Sequence, residues 1–121
     1  MFARLSLPRL LLHLEGLFVF AAAIAAFAHL GGNGWLFAAL LLVPDLSALG
    51  YFVNKEVGSV MYNAAHTYTG PGVLLAVGLA MQQPLVVLIA LIWLAHIGMD
   101  RTVGYGLKYP SAFKDTHLQR V

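Results

Sequence analysis

The chain has 121 residues, of which 60% are hydrophobic and only 10% charged, with a formal net charge of +2. A soluble domain carries about a quarter of its residues as charges, so this composition excludes an ordinary soluble surface. The few basic residues are scattered, which excludes a nucleic-acid footprint, and the absence of cysteine excludes disulfides, thiolate metal sites and iron–sulfur clusters.

Four apolar stretches run approximately Leu10–Leu30, Trp35–Val53, Val57–Met81 and Leu85–Leu107. A hydrocarbon core of roughly 30 Å needs about 20 helical residues, and each stretch is close to that length. Helix is the reading, because isolated strands in lipid leave backbone groups unpaired. The chain is expected to be one all-α domain over 1–121, an integral membrane up-down four-helix bundle with a tail over 108–121.

The first stretch resembles a signal peptide, with Arg4 and Arg9 ahead of an apolar run and Ala-x-Ala at Ala26–Ala28. Glu15 inside the run, and the run's length, argue for a retained helix. Ala21, Ala22, Ala25 and Ala26 suggest its packing face, and His13 and His29 fall near the two interfaces. Gly31-Gly32-Asn33-Gly34 reads as a turn. In the second stretch Pro44 should free a carbonyl about one turn earlier. Asn54-Lys55-Glu56 is the next turn. In the third stretch Gly70-Pro71-Gly72 should kink or break the helix in its outer half, and Gly72, Ala76 and Ala80 form a close-packing row. Gln82-Gln83-Pro84 opens the fourth stretch. Trp35, Trp93, Tyr51, Tyr105 and Tyr109 fit interfacial belts, with Trp93 also able to flank His96. The tail from Tyr109 reads as a strip along the cytoplasmic surface, with Asp115 and His117 in solvent.

Orientation follows from charge. The turns at Gly31–Gly34 and Gln82–Pro84 are neutral. Arg4, Arg9, Lys55, Arg101, Lys108, Lys114 and Arg120 all fall toward the other side, which the positive-inside rule makes cytoplasmic together with both termini.

Five ionisable residues lie within the spans: Glu15, Asp45, His66, His96 and Asp100. Each carboxylate at a helix centre costs about 2.5–3.5 kcal/mol on insertion. Counting about 1.5 Å per residue from the flanking basic residues puts all five at a similar level in the cytoplasmic half. His96 and Asp100 share one face of the fourth helix, and Tyr62, Asn63 and His66 sit together on the third. Each has a structural use when taken alone: Asp45 could bond to freed backbone or Ser47, Glu15 could snorkel, and His96 with Asp100 could be a private pair. Their joint occurrence at one depth points to a shared site.

Two imidazoles with carboxylates suit Zn²⁺, Mn²⁺ or Fe²⁺, and such an ion lowers the pKa of its water. Asp45, His66, His96 and Asp100 are the expected ligands and Glu15 the general base or a further ligand. Tyr62 and Asn63 are expected to orient ligands or substrate. Arg101 should point away toward lipid headgroups. A site near the cytoplasmic leaflet suits a lipid or an amphipathic ester. Three other readings use the same residues. One is a proton or ion pathway gated at Gly70-Pro71-Gly72, which would require a homo-oligomer to frame a pore. Another is a haem protein with His66 and His96 as axial ligands. The last is a structural bundle locked by its polar cluster.

Several motifs look like the signatures of an uncharacterised bacterial family, domain of unknown function 4260. They are Glu15-Gly16, Pro44-Asp45-Leu46-Ser47 with Gly50-Tyr51, Tyr62-Asn63-x-x-His66-Thr67-Tyr68, and Ala95-His96-Ile97-Gly98-x-Asp100-Arg101. Gly104-Tyr105-Gly106-Leu107-Lys108-Tyr109-Pro110 and Phe113-Lys114-Asp115-Thr116-His117 complete them. The resemblance covers nearly the whole chain and implies a four-span protein of the bacterial inner membrane. The chain also resembles membrane-bound metal-dependent hydrolases of the LexA-regulated inner-membrane type. That likeness implies Asp45, His66, His96 and Asp100 as ligands. Those proteins have a second acid where this chain has Ser47, and more histidine around the middle motif.

Overall fold

The computed structural model describes residues 6–111 and 114–121. Arg4 and Phe113 lie outside the described residues. Helix α1 (Leu7–His29) begins where Ser6 accepts the Arg9 N–H and Pro8 takes the first turn. It ends in a turn in which Gly31 adopts φ +74, a left-handed conformation natural to glycine. Asn33 then caps α2 (Gly34–Leu40) by accepting the Trp35 N–H.

The second apolar stretch is not one α-helix. α2 stops at Leu40, and the chain resumes as a 3₁₀ helix over Val43–Phe52. Pro44 offers no N–H to the Leu40 carbonyl, and its ring crowds that carbonyl. The Asp45 N–H reaches the Leu42 carbonyl at 3.1 Å instead, and the tighter winding continues for 10 residues.

The third stretch is also divided, into α3 (Lys55–His66) and α4 (Thr69–Ala80). The break falls at Thr67, extended at φ −95 and ψ 144, rather than at Gly70-Pro71-Gly72, which is itself helical. Pro71 is the cause: its ring excludes the carbonyl one turn earlier, which belongs to Thr67. α5 (Pro84–Val103) ends at Gly104, earlier than the expected Leu107. Gly104 has φ +106, and the Gly104 and Tyr105 N–H groups both bond the Asp100 carbonyl, at 2.9 and 2.7 Å.

The described residues are helical apart from turns and one isolated antiparallel bridge, Lys108 to Thr116. Three segments are long and apolar enough to cross a membrane: Leu7–His29, Gly34–Phe52 and Pro84–Val103. α3 and α4, with 12 residues each, are too short to cross alone.

α5 is the central element. α1, α2 and α4 pack on it, and α3 packs on the 3₁₀ helix. Phe27, Val87, Leu91 and Ile92 form the apolar core. α1 meets α5 at paired glycines. A Cβ on Gly16 would stand 2.4 Å from the Arg101 Cβ, and one on Gly98 2.7 Å from the Phe20 nitrogen. The buried face of α1 is Gly16, Ala23 and Phe27, not the expected Ala21–Ala26 row. On α4, likewise, Pro71 and Gly78 are buried, while Gly72, Ala76 and Ala80 face outward.

The tail does not lie loose. The Leu107 N–H donates to His117 Nδ1 at 2.7 Å, and the His117 N–H returns to the Leu107 carbonyl at 2.9 Å. A short helix α6 (His117–Arg120) follows, with Leu118 only 1% exposed, and Arg9 donates to the Gln119 carbonyl at 2.7 Å. The expectation of a solvated His117 is therefore corrected: a 14-residue excursion without partners would strand Leu118 and Thr116 in solvent, whereas the fold-back buries both.

Candidate metal centre

Asp45, His66, His96 and Asp100 come together, each contributing one donor atom, all within 4.8 Å of one another. His96 and Asp100 share a face of α5 because they lie one turn apart. His66 is the last residue of α3, so the break at Thr67 presents it. Asp45 enters from the first turn of the 3₁₀ helix, where residues i and i+3 eclipse, so Asp45 and Ala48 share an edge.

The spacing is regular. His66 Nε2 is 3.1 Å from His96 Nε2, 3.2 Å from Asp45 Oδ1 and 3.4 Å from Asp100 Oδ2. His96 Nε2 is 3.2 Å from both Asp45 Oδ1 and Asp100 Oδ2. Four ligands about 2.0 Å from a tetrahedral zinc ion stand about 3.3 Å apart, which these edges match. Two axial nitrogens on opposite sides of one haem iron would stand about 4 Å apart with a porphyrin between them, which this pair cannot accommodate.

The imidazoles are set in orientation. His66 Nδ1 donates to the Tyr62 carbonyl at 2.8 Å, so in the neutral ring the lone pair is on Nε2 and faces the other three donors. The Tyr62 ring stacks on His66 with centroids 3.7 Å apart and planes 5° from parallel. His96 Nδ1 is buried with no hydrogen bond of good geometry, though the Leu41 carbonyl, released by the change of winding before Pro44, acts on that ring. Four inward-facing acceptor atoms repel one another unless a cation or shared protons occupy their centre.

The break that exposes His66 also frees carbonyls, and α5 satisfies them. Arg101 donates to the His66 carbonyl at 2.6 Å and to the Tyr105 carbonyl at 2.8 Å. Trp93 Nε1 donates to the Ala65 carbonyl at 2.6 Å. The expectation that Arg101 meets headgroups is corrected: it is 5% exposed, because irregular backbone inside a membrane protein must be satisfied by protein. Trp93 is likewise placed at the break, over Gly70, rather than in a belt.

Of the other expected residues, Tyr62 orients His66 as described. Asn63 is occupied differently: its side-chain amide pairs with the Lys108 backbone, donating to the carbonyl at 2.7 Å and accepting the N–H at 2.6 Å. Glu15 is exposed on α1 and is not among the four converging residues, so α1 contributes no donor to the group. Its place in α1 follows the Gly16 contact, which turns Gly16 toward α5 and Glu15 away. His13 is half-buried and donates to the Thr102 carbonyl at 2.9 Å.

Lys108 is the residue that sequence reading missed. Taken there as an orienting charge outside the lipid, it is 5% exposed, with Nζ 4.6 Å above the Tyr62 ring. It lines a cavity of about 300 Å³ together with Asp45, Ala48, Tyr62, Asp100 and Tyr105. The signal available was the dense Gly104–Pro110 motif, too rich in glycine to be plain helix. Burial pushes the Lys108 ammonium below its ordinary pKa, while Asp100 and Asp45 pull upward. A second, almost wholly apolar cavity of about 230 Å³ is bounded by Pro44, Ala65, Ile92 and Trp93, among others, each beside or within about a turn of a member of the group.

In the tail, Arg120, and after it Ser111, hold the Asp115 carboxyl down from 3.8 to about 2. Burial, and then the charge of Arg101, hold His117 below its ordinary 6.5.

Neither a curated protein nor a solved structure matches the chain. A family model does, over residues 9–121, and the chain accordingly belongs to the family described as Domain of unknown function (DUF4260).

Proposed function

We propose that this protein is a membrane-embedded, metal-dependent hydrolase whose His66, His96, Asp45 and Asp100 hold one divalent cation, zinc, manganese or iron. The spacing of the four donors, 3.1–3.4 Å along five of their six edges and within 4.8 Å on the sixth, carries this reading. Both rings present Nε2 inward, and that of His66 is fixed by a carbonyl on its far nitrogen, the usual support for a metal-ligating histidine. A divalent ion there would supply Lewis acidity and make water acidic enough to attack near neutral pH. The chain's own residues contribute the rest: Tyr62 holds His66, the carboxylates accept protons, and the cavity beside Lys108 admits substrate. The apolar cavity next to the group suits the acyl part of a lipid or amphipathic ester.

The proposed frame is a four-span bundle of the bacterial inner membrane with both termini cytoplasmic. Its third crossing is made of α3 and α4 as two half-helices. The support is that basic residues from two segments, α1 and α3, both reach carbonyls of the tail. Arg9 bonds Gln119, and Lys55 donates to the Ser111 carbonyl at 3.4 Å.

Elemental analysis of detergent-purified protein prepared without chelator tests the centre. About one equivalent of zinc, manganese or iron is expected, and it should be lost in His96→Ala. A preparation free of all three, which takes none up on dialysis, sinks the reading.

A further inference from the structure

We infer that the substrate of this centre is an anionic phosphate ester, whose phosphoryl oxygens bridge the metal position and the Lys108 ammonium; this rests on the metal reading above. The argument is one of charge. Two neutral imidazoles, two carboxylates and a divalent ion sum to zero. Lys108 and Arg101, both 5% exposed, then leave the loaded site with two positive charges. Arg101 donates to the His66 and Tyr105 carbonyls, and Lys108 lines the same cavity as the ligands Asp45 and Asp100. A neutral carboxylic ester leaves that charge in place inside a low-dielectric wall, whereas a phosphate monoester or diester offsets it.

The geometry agrees with the charge. The cavity, about 300 Å³, has room for a phosphate group with part of its alcohol. Tyr105, 57% exposed, stands on its border, so the cavity has an open side. The Asn63 amide grips the Lys108 backbone on both its N–H and C=O, fixing the base of the side chain. Tyr62 links the two halves of the site, since one ring stacks on His66 and also carries Lys108 Nζ at 4.6 Å. Such a held cation is a binding residue for an anion. In the reaction a water oxygen forms a bond to phosphorus and the bond from phosphorus to the ester oxygen breaks. The proton lost by water passes by way of a carboxylate to the leaving alcohol, giving an alcohol with phosphate from a monoester or with a phosphate monoester from a diester.

The test uses the full chain in detergent, loaded with zinc or manganese and checked for metal content. Binding is measured for inorganic phosphate in solution and for phosphatidic acid in mixed micelles, against micelles of phosphatidylcholine alone. Phosphate chemistry predicts binding in at least one anionic arm; binding only in the phosphatidic acid arm assigns a lipid source, and binding in both assigns the phosphate group itself. Lys108→Met keeps an unbranched side chain one atom shorter and leaves the backbone pair with Asn63. It should keep the metal and weaken anion binding about tenfold, with Lys108→Arg restoring much of it. A loaded protein indifferent to both anions, or a Lys108→Met variant that binds them as the parent does, overturns this inference alone. A chain that takes up no metal overturns it together with the centre.

Discussion

Arg101 is the side chain on which the site's architecture turns. It is buried beside a helix break, and its fork reaches two carbonyls that no backbone N–H among the described residues serves, those of His66 and Tyr105. Arg101→Met should destabilise the protein by about 2 kcal/mol or more, because a buried acceptor left unmade costs about 1–3 kcal/mol. Arg101→Lys should recover only part, since one ammonium cannot reproduce a planar fork. Equilibrium unfolding in detergent reads both, and an unchanged midpoint in Arg101→Met would refute the assignment. Four of the five ionisable residues picked out within the spans, Asp45, His66, His96 and Asp100, do converge. Their convergence was legible because each stands a similar number of helical residues from a flanking basic residue, a count that the 3₁₀ winding of the second stretch alters by only a few ångströms. Glu15 and Arg101 were misread because depth says nothing of rotation about the helix axis. Rotation is decided by contacts such as Gly16 against Gly98, which only the assembled pair reveals. Lys108 was misread for the converse reason: a lysine near a span end is ordinarily a hydrated orienting charge.

At the level of elements, two prolines shape the site. Pro44 rewinds the second stretch, and Pro71 breaks the third, so that Asp45 and His66 arrive where unbroken α-helices would not bring them. Pro71→Ala restores an N–H that can close the α3–α4 gap. The resulting helix should be no less stable, yet metal affinity should fall about 10–100-fold as His66 loses its placement. Isothermal titration of metal into apoprotein, run beside thermal unfolding, separates the two effects; equal affinity would show that the break is incidental. The glycine contact between α1 and α5 carries a different prediction. Gly98→Val should cost about 1–3 kcal/mol by forcing the backbones apart, and thermal unfolding should show it. Apolar length gave the number of stretches and their rough ends. It gave neither winding nor continuity, because hydropathy is blind to which backbone N–H groups are missing. Proline positions carried that information, and their local effect was legible while its extent was not.

Over the whole molecule, α1 and the tail are tied together. The isolated bridge between Lys108 and Thr116 accompanies the burial of Leu118, and Arg9 bonds the Gln119 carbonyl of the tail. This clasp depends on pH through His117, whose Nδ1 must be unprotonated to accept the Leu107 N–H. His117 titrates below its ordinary 6.5 in the folded chain. Its contribution is therefore complete above about 6.5 and is lost as pH falls through the depressed folded value. Asp115, held down to about 2 by Arg120, keeps its ion pair through that range. Hydrogen exchange at the Leu107 amide, corrected for intrinsic rate, should accelerate between pH 7 and pH 5, while in His117→Gln it should be fast at both. Flat protection across that interval would assign the clasp to Leu118 alone. The sequence pointed to a solvated tail because thirteen polar-rich residues lack periodicity, and a buried anchor of one leucine leaves no pattern to read.

Asp45 differs from its three companions. Its side chain is 50% exposed and rides on a 3₁₀ helix, whose hydrogen bonds are poorer than those of α3 and α5, while His66 and His96 are sealed at 0% and Asp100 stands at 8%. In the proposed centre an ion therefore arrives and departs past one swinging jaw while the other three form a fixed socket. Loosening that jaw, as in Asp45→Asn, hastens escape into a competing chelator far more than it slows capture, so the affinity lost with this side chain is read in the rate at which the ion leaves.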